Sequence, residues 1–266
     1  MLYDPPRCQL HSRLARPSWR QHWNRLVAAL RNRLRLRTRL REWQNGKRPE
    51  PPRLGKPSRF AEGSWVRVRD ASSIFATLSP AKTLRGLVWV WQQWPYCGTV
   101  HRVFRPVQRM MDDGWQIRPI SGTVLLETVP CGGPSGHHGC GRECPMMFRD
   151  EWLEEVPPPV ADPGPPPVAP GRFATVRSVE EIRATLDGSN SRQGLMFMPE
   201  MYRHAGQRFP VRKQIKQVLD GGRYVDTALP VYILDGLHCG GEILGADGPC
   251  HRSCRLLWHE DWLIME

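Results

Sequence analysis

The chain states one unit twice, and the two statements share cysteines. A shift of 108 residues takes Val68-Arg69 to Val176-Arg177, Ile74 to Ile182, Gly86-Leu87 to Gly194-Leu195, Gly98 to Gly206 and Leu126 to Leu234. It also takes Cys131-Gly132-Gly133 to Cys239-Gly240-Gly241. Beyond the glycine pair the shift becomes 110, and Cys140, Arg142, Cys144, Trp152 and Leu153 fall on Cys250, Arg252, Cys254, Trp262 and Leu263. One two-residue difference, between the first and second cysteines, separates copies of about 90 residues each, the size of a small domain. Such a repeat outranks any local pattern, because whatever one copy builds the other must build again.

Within a copy the signals are mostly those of strands. Residues 64–69 alternate as Ser-Trp-Val-Arg-Val-Arg, which predicts a strand with one buried face. Ser178 and Glu181 have the spacing of a capping box ahead of Ile182. Val124 to Leu126 and Val231 to Leu234 read as strands that run into the first cysteine, and Asp220-Gly221-Gly222 reads as a turn. The predicted fold is a β-rich α+β protein. It holds two tandem small modules of SH3-like or β-barrel type, each stapled by zinc, behind a basic amphipathic helix. The boundaries are 1–45 for the helical arm, 46–62 for a linker, 63–156 for the first repeat, 157–171 for a proline-rich linker and 172–266 for the second repeat. Proline at the density of 157–171 predicts a semi-rigid spacer in extended polyproline form.

Charge is concentrated at one end. The formal net charge is +12, yet residues 1–60 alone carry 16 Lys and Arg against Asp4, Glu42 and Glu50, and the rest carries 22 against 23 acids. A partner drawn by charge must therefore meet the N-terminal segment. There, Trp19, Trp23, Leu26, Leu30 and Leu34 recur at helical spacing, with Arg20, Arg25, Arg31, Arg33, Arg35, Arg37, Arg39 and Arg41 among and beyond them. Arginine contacts phosphate and tryptophan stacks on bases, so nucleic acid is the favoured partner. A protein partner packed on the tryptophan-leucine stripe, an anionic membrane surface and an organellar transit peptide are the alternatives. No apolar run reaches the roughly 20 residues of a membrane span, and the expected location is cytoplasmic.

In that compartment clustered thiols favour metal over disulfide. Copy one offers Cys97, Cys131, Cys140 and Cys144, a four-thiolate set with no open position and hence structural rather than catalytic. Copy two keeps Cys239, Cys250 and Cys254 but has Ala205 where Cys97 stands, and His204 is the expected fourth ligand, with His238, His251 and His259 as competitors. Two structural zinc ions are the expectation. Buried free thiols, or an iron–sulfur or redox pair, are the other readings. Cys8 lies outside the repeat, and His137-His138 fall where the copies differ in length.

The tails Phe148-Arg149-Asp150-Glu151-Trp152-Leu153 and Trp258-His259-Glu260-Asp261-Trp262-Leu263 are read as structural. Their tryptophans are expected under the metal loop, and their acids in water or paired with Arg142 and Arg252. Leu195 to Met201, His204 to Gly206, Cys239 to Gly241, Cys250 to Cys254 and Trp262-Leu263 resemble units of uncharacterised bacterial proteins with tandem Cys-rich repeats. The resemblance spans roughly 64–153 and 172–263 and implies a shared fold without a known activity. The sequence holds no nucleophile–base constellation, phosphate loop or open metal site. The functional expectation is a non-enzymatic zinc-binding interaction protein, with an accessory or scaffold subunit of an enzyme complex as the alternative.

Overall fold

A computed structural model of the chain describes residues 54–111, 117–132, 140–160, 171–220, 223–243 and 249–266, together with Gln9, Ser12, Leu14, Trp23 and Val27. Copy one runs β1 (Trp65–Val68), α1 (Ala71–Thr77), β2 (Thr83–Leu84), β3 (Leu87–Val88), a 3₁₀ helix (Trp91–Tyr96), β4 (Val100–Pro106), β5 (Arg109–Met111), β6 (Ile117–Pro119), β7 (Thr123–Pro130), β8 (Pro145–Arg149), a 3₁₀ turn (Asp150–Trp152) and β9 (Leu153–Glu155). Copy two runs β10 (Phe173–Val176), α2 (Val179–Thr185), β11 (Ser191–Arg192), β12 (Leu195–Met196), a 3₁₀ helix (Pro199–His204), β13 (Arg208–Asp220), β14 (Arg223–His238), β15 (Arg255–His259), a 3₁₀ turn (Glu260–Trp262) and β16 (Leu263–Met265). The protein is β-rich with few helical turns.

The two halves repeat one topology. Each has a five-stranded sheet, in the order β8-β7-β4-β1-β9 and β15-β14-β13-β10-β16. In both, the last strand pairs with the first, as in Val66 with Glu155 and Ala174 with Met265. Alternation explains β1: Val66 and Val68 are fully buried while Arg67 faces water. Both helices start on a side-chain cap. Asp70 accepts from the Ser73 amide at 2.9 Å, and Ser178 with Glu181 forms the predicted capping box. The β2–β3 and β11–β12 hairpins turn through Arg85-Gly86 and Gln193-Gly194 with positive φ at all four residues. That is the type I′ turn, which explains why the Gly-Leu pair recurs.

Each half buries its own apolar cluster. Trp89 meets Trp152 edge-on at 4.9 Å and Phe148 at 5.8 Å; Phe197 meets Trp262 at 5.0 Å and Trp258 at 6.2 Å. The Trp152 and Trp262 indoles donate to the hydroxyls of Thr77 and Thr185, each at 3.0 Å, which locks α1 and α2 onto the cores. The tail tryptophans are therefore core residues beneath the helices, in the clusters against which Cys131 and Cys239 also pack. Of the tail acids, Glu151 and Glu260 face water as expected, while the partners found are not Arg142 and Arg252. Asp150 accepts from Ser58 and from the Arg59 amide, Glu151 pairs with Arg85, and Asp261 pairs with Arg192 at 2.6 Å. Residues 54–62, which read as linker in the sequence, are packed on copy one. The Gly55 amide bonds the Gln108 carbonyl at 2.8 Å, and Phe60 is buried in the copy-one core.

Candidate functional site

The described ends of the cysteine loops each dock on the other copy. The Gly141 amide donates to the Gln217 carbonyl at 2.7 Å, and the His251 amide donates to the Arg109 carbonyl at 3.0 Å. Under the shifts of 108 and 110 these are the same contact made in both directions. Lys213 bonds Glu143 at 3.2 Å, and its counterpart Arg105 bonds Ser253 at 2.8 Å. Within each loop the pattern repeats again, since Cys131 N–H meets the Cys144 carbonyl and Cys239 N–H meets the Cys254 carbonyl, both at 2.7 Å. Reciprocal contacts of equivalent residues are the mark of a two-fold interface, here built inside one chain.

Glycines give each loop the geometry for this. Gly241 sits at φ +102°, and a Cβ there would lie 2.2 Å from the Cys250 carbonyl oxygen. Gly141 lets copy one's loop approach β13, where a Cβ would come within 2.9 Å of Ile215. Met111, Ile243 and Cys250 then form a small apolar cluster of their own across the seam. Its polar counterpart is Glu143, with only 16% of its side chain exposed, held by Arg212 at 2.5 Å, Lys213 at 3.2 Å and Arg255 at 3.4 Å. Burial pushes the Glu143 carboxyl pKa up, but the Arg212 bond and charge, then Lys213, outweigh it and leave the pKa below its ordinary value.

Removing that one carboxylate leaves three clustered cations with Asp235, 3.3 Å from Arg212, as a neighbouring acid. Glu143→Gln is expected to cost about 2 kcal/mol in urea unfolding at neutral pH. A fully buried pair costs ~3–5 kcal/mol, and here Arg212 and Lys213 keep 29% and 31% of their side chains in water. Because the folded pKa lies below the unfolded value of 4.5, this stability is present above that pH and is lost as pH falls through the folded pKa. The gap between the native chain and E143Q should therefore close in acid; a gap that persists would show that the loss is one of shape rather than charge.

Five of the cysteines nominated as ligands each lie within electrostatic reach of at least one other along this seam. The Cys131 thiol is pushed up to about 11 by burial and then by Cys144 and Cys140. The Cys144 and Cys254 thiols share a hydrogen bond, which together with burial raises Cys254 well above its ordinary value, and Cys239 lies within electrostatic reach of Cys254. The sixth, Cys250, has a sulfur that accepts from the amides of Met111 at 3.3 Å and Arg252 at 3.4 Å; the Cys239 sulfur accepts from Gly241 at 3.3 Å.

The two upstream ligand candidates lie at the ends of 3₁₀ helices, and Cys97 packs with Cys131 against the copy-one core. Cys97 follows the Trp91–Tyr96 3₁₀ helix; burial, then the Asp70 charge, raises its pKa, with no contribution from the other cysteines. His204 ends the matching helix in copy two, edge-on to Phe209 at 5.6 Å and to Trp258 at 6.1 Å. Of its competitors, His238 stacks on Phe104 at 5.2 Å, His251 accepts from the Gln108 amide at 3.2 Å, and His259 leans on Trp262 at 5.8 Å. Cys239, Cys250 and Cys254 line one cavity of about 30 Å³ with Glu242 and Arg252. The amide bonds to the sulfurs suit thiolates. Even so, among the described residues no group of three or more His, Cys, Asp and Glu side chains is arranged to hold a metal ion.

One element at the seam has no signal in the repeat. Gln9 reaches into copy two, where its amide nitrogen donates to the Met196 and Leu257 carbonyls, each at 2.9 Å, and its oxygen accepts from the Leu257 amide at 2.8 Å. Ser12 accepts from the Met196 amide at 3.1 Å, and Leu14 is buried in the copy-two core. Arg142 of the copy-one loop bonds the Gln9 carbonyl at 3.3 Å. The N-terminal segment is thus anchored before its basic stretch begins. Trp23 is exposed and, with Val27, lies in helical backbone. Trp19, Arg20, Arg25, Arg31, Arg33, Arg35, Arg37, Arg39 and Arg41 lie outside the described residues, as do Cys8, His137, His138 and the spacer 161–170. Among the described residues no helix is long and apolar enough to cross a membrane. No known family model, characterised protein or solved structure matches the chain.

Proposed function

We propose that the chain is a non-enzymatic interaction protein: two SH3-like barrel copies locked face to face, carrying an arginine-rich segment that contacts an anionic partner, nucleic acid first. The observation that carries it is the use of both cysteine loops in the seam, where they hold the copies together. The order of strands supports the barrel reading. In each copy four antiparallel strands are followed by a 3₁₀ turn and a short strand that returns to the first, which curls the sheet toward a barrel. The two seam cavities hold about 30 and 10 Å³, room for a water molecule.

The anchoring of Gln9 to Leu14 shapes the test, since deleting the arm would also remove part of the copy-two core. Replacing Arg20, Arg25, Arg31, Arg33, Arg35, Arg37, Arg39 and Arg41 by glutamine keeps that anchor. Binding to a mixed-sequence duplex should weaken and its salt dependence flatten, by about 0.9 in the log–log slope for each phosphate no longer neutralised. A slope and affinity unchanged in the eight-fold variant would remove nucleic acid from the reading.

A further inference from the structure

Equivalent residues related by a two-fold axis touch each other only on that axis. Cys144 and Cys254 are equivalent under the shift of 110, and their thiols touch. Both also line one small cavity with Gln9, Arg142, Arg255 and Leu257, and both are partly exposed. Each is fixed from its own side, by the backbone bonds Cys131 to Cys144 and Cys239 to Cys254. The reciprocal loop contacts hold the two backbones in a fixed relation. We propose that Cys144 and Cys254 are a redox pair, joined on oxidation by a disulfide that crosses the pseudo-two-fold seam and locks one copy to the other.

The chemistry is thiol–disulfide exchange with a small-molecule disulfide as the oxidant. The Cys144 thiolate attacks one sulfur of that disulfide and expels one thiolate, which takes up a proton. The Cys254 thiol then loses its proton, attacks the Cys144 sulfur of the mixed disulfide and expels the second small thiol. Two protein thiols and one small disulfide become one protein disulfide and two small thiols. Arg255, which lines the same cavity and lies within electrostatic reach of Cys144, favours the attacking thiolate. The other equivalent pairs are held differently. Cys250 lies in the apolar cluster with its sulfur bonded to two amides, and the thiols near Cys131 are those of its own copy. The proposal stands on the seam and is independent of the nucleic-acid reading.

The experiment equilibrates the full chain, as purified and with its zinc content measured, against mixtures of reduced and oxidised glutathione. Free thiols are trapped with N-ethylmaleimide, and the chain is digested without reduction for mass spectrometry. The expected result is a chain of eight cysteines that takes two fewer labels at the oxidising end. A cross-linked peptide pair should contain Cys144 and Cys254, and reductant should remove it. Cys144→Ser and Cys254→Ser should each abolish the link, while Cys140→Ser leaves it; the wild-type peptide map decides alone if a variant does not fold. A link within one loop, such as Cys131 with Cys144, would overturn the proposal. So would full labelling of all cysteines at the most oxidising ratio, or bound zinc that keeps the seam thiols from oxidation.

Discussion

Trp152→Ala is expected to destabilise the chain by about 4 kcal/mol, the cost of emptying a fully buried indole site in a core that relaxes only in part. The side chain has no exposed surface, meets Trp89 edge-on at 4.9 Å and donates to the Thr77 hydroxyl. Truncation opens a cavity, removes an aromatic neighbour and leaves that hydroxyl without its donor, so three losses act at one place. Trp262→Ala should cost the same within error, because Phe197 and Thr185 repeat the arrangement. In a thermal scan each change lowers the midpoint by roughly 10 °C, at ~2–4 °C per kcal/mol for a chain of this size. Trp152→Phe keeps most of the volume and should recover more than half the loss. A drop below about 1 kcal/mol for either alanine variant would mean that the indole is not in the core.

Gln9→Ala is the second large effect, about 3 kcal/mol, and it falls on copy two alone. One side chain satisfies the Leu257 amide, the Leu257 carbonyl and the Met196 carbonyl, all buried. Each buried group left unpaired costs ~1–3 kcal/mol, offset where water enters the adjoining cavity. Copy one meets the same need from within. Gln93, at the position of Met201, donates to the Met147 carbonyl at 3.0 Å and accepts from the Val90 amide at 2.9 Å. Hydrogen exchange should therefore rise at β12 and β15 in Q9A and at β3 and β8 in Gln93→Ala. Exchange that rises equally in both halves in Q9A would count against an anchor specific to copy two.

The same asymmetry marks how far the amino-acid sequence can be read. The strand at 65–68, the strand segments 124–126 and 231–234 and the capping box at Ser178 are legible in it because each depends on residues close along the chain. The cysteines are legible as a group, but their grouping is not. Metal-ligand reasoning looks for partners within one copy, and it assigns Cys97 and His204 to the loops. Those residues sit at the ends of 3₁₀ helices, one beside Asp70 and the other among aromatic rings. The partners of each loop lie in the other copy, and no spacing records a contact such as Gly141 with Gln217. Glu143 gives no signal either, because its counterpart is Ser253 and the alignment marks only what the copies share. Gln9 lies outside the repeat altogether, and only the presence of Met201 in place of Gln93 hints that copy two needs a donor from elsewhere.

The reciprocal seam also bears on the proline spacer at 157–171. Two separate subunits that met through these loops would lose translational and rotational freedom on association, a cost of several kcal/mol that a small interface rarely overcomes. Joining them in one chain replaces that encounter with an intramolecular one, at an effective concentration set by the length of the tether. A contact made, among the described residues, of a handful of hydrogen bonds, one buried carboxylate and a small apolar cluster can then persist at any dilution. The fused pair is also freed from symmetry: a homodimer changes both sides of its interface with every mutation, whereas this chain can keep Glu143 on one side and Ser253 on the other.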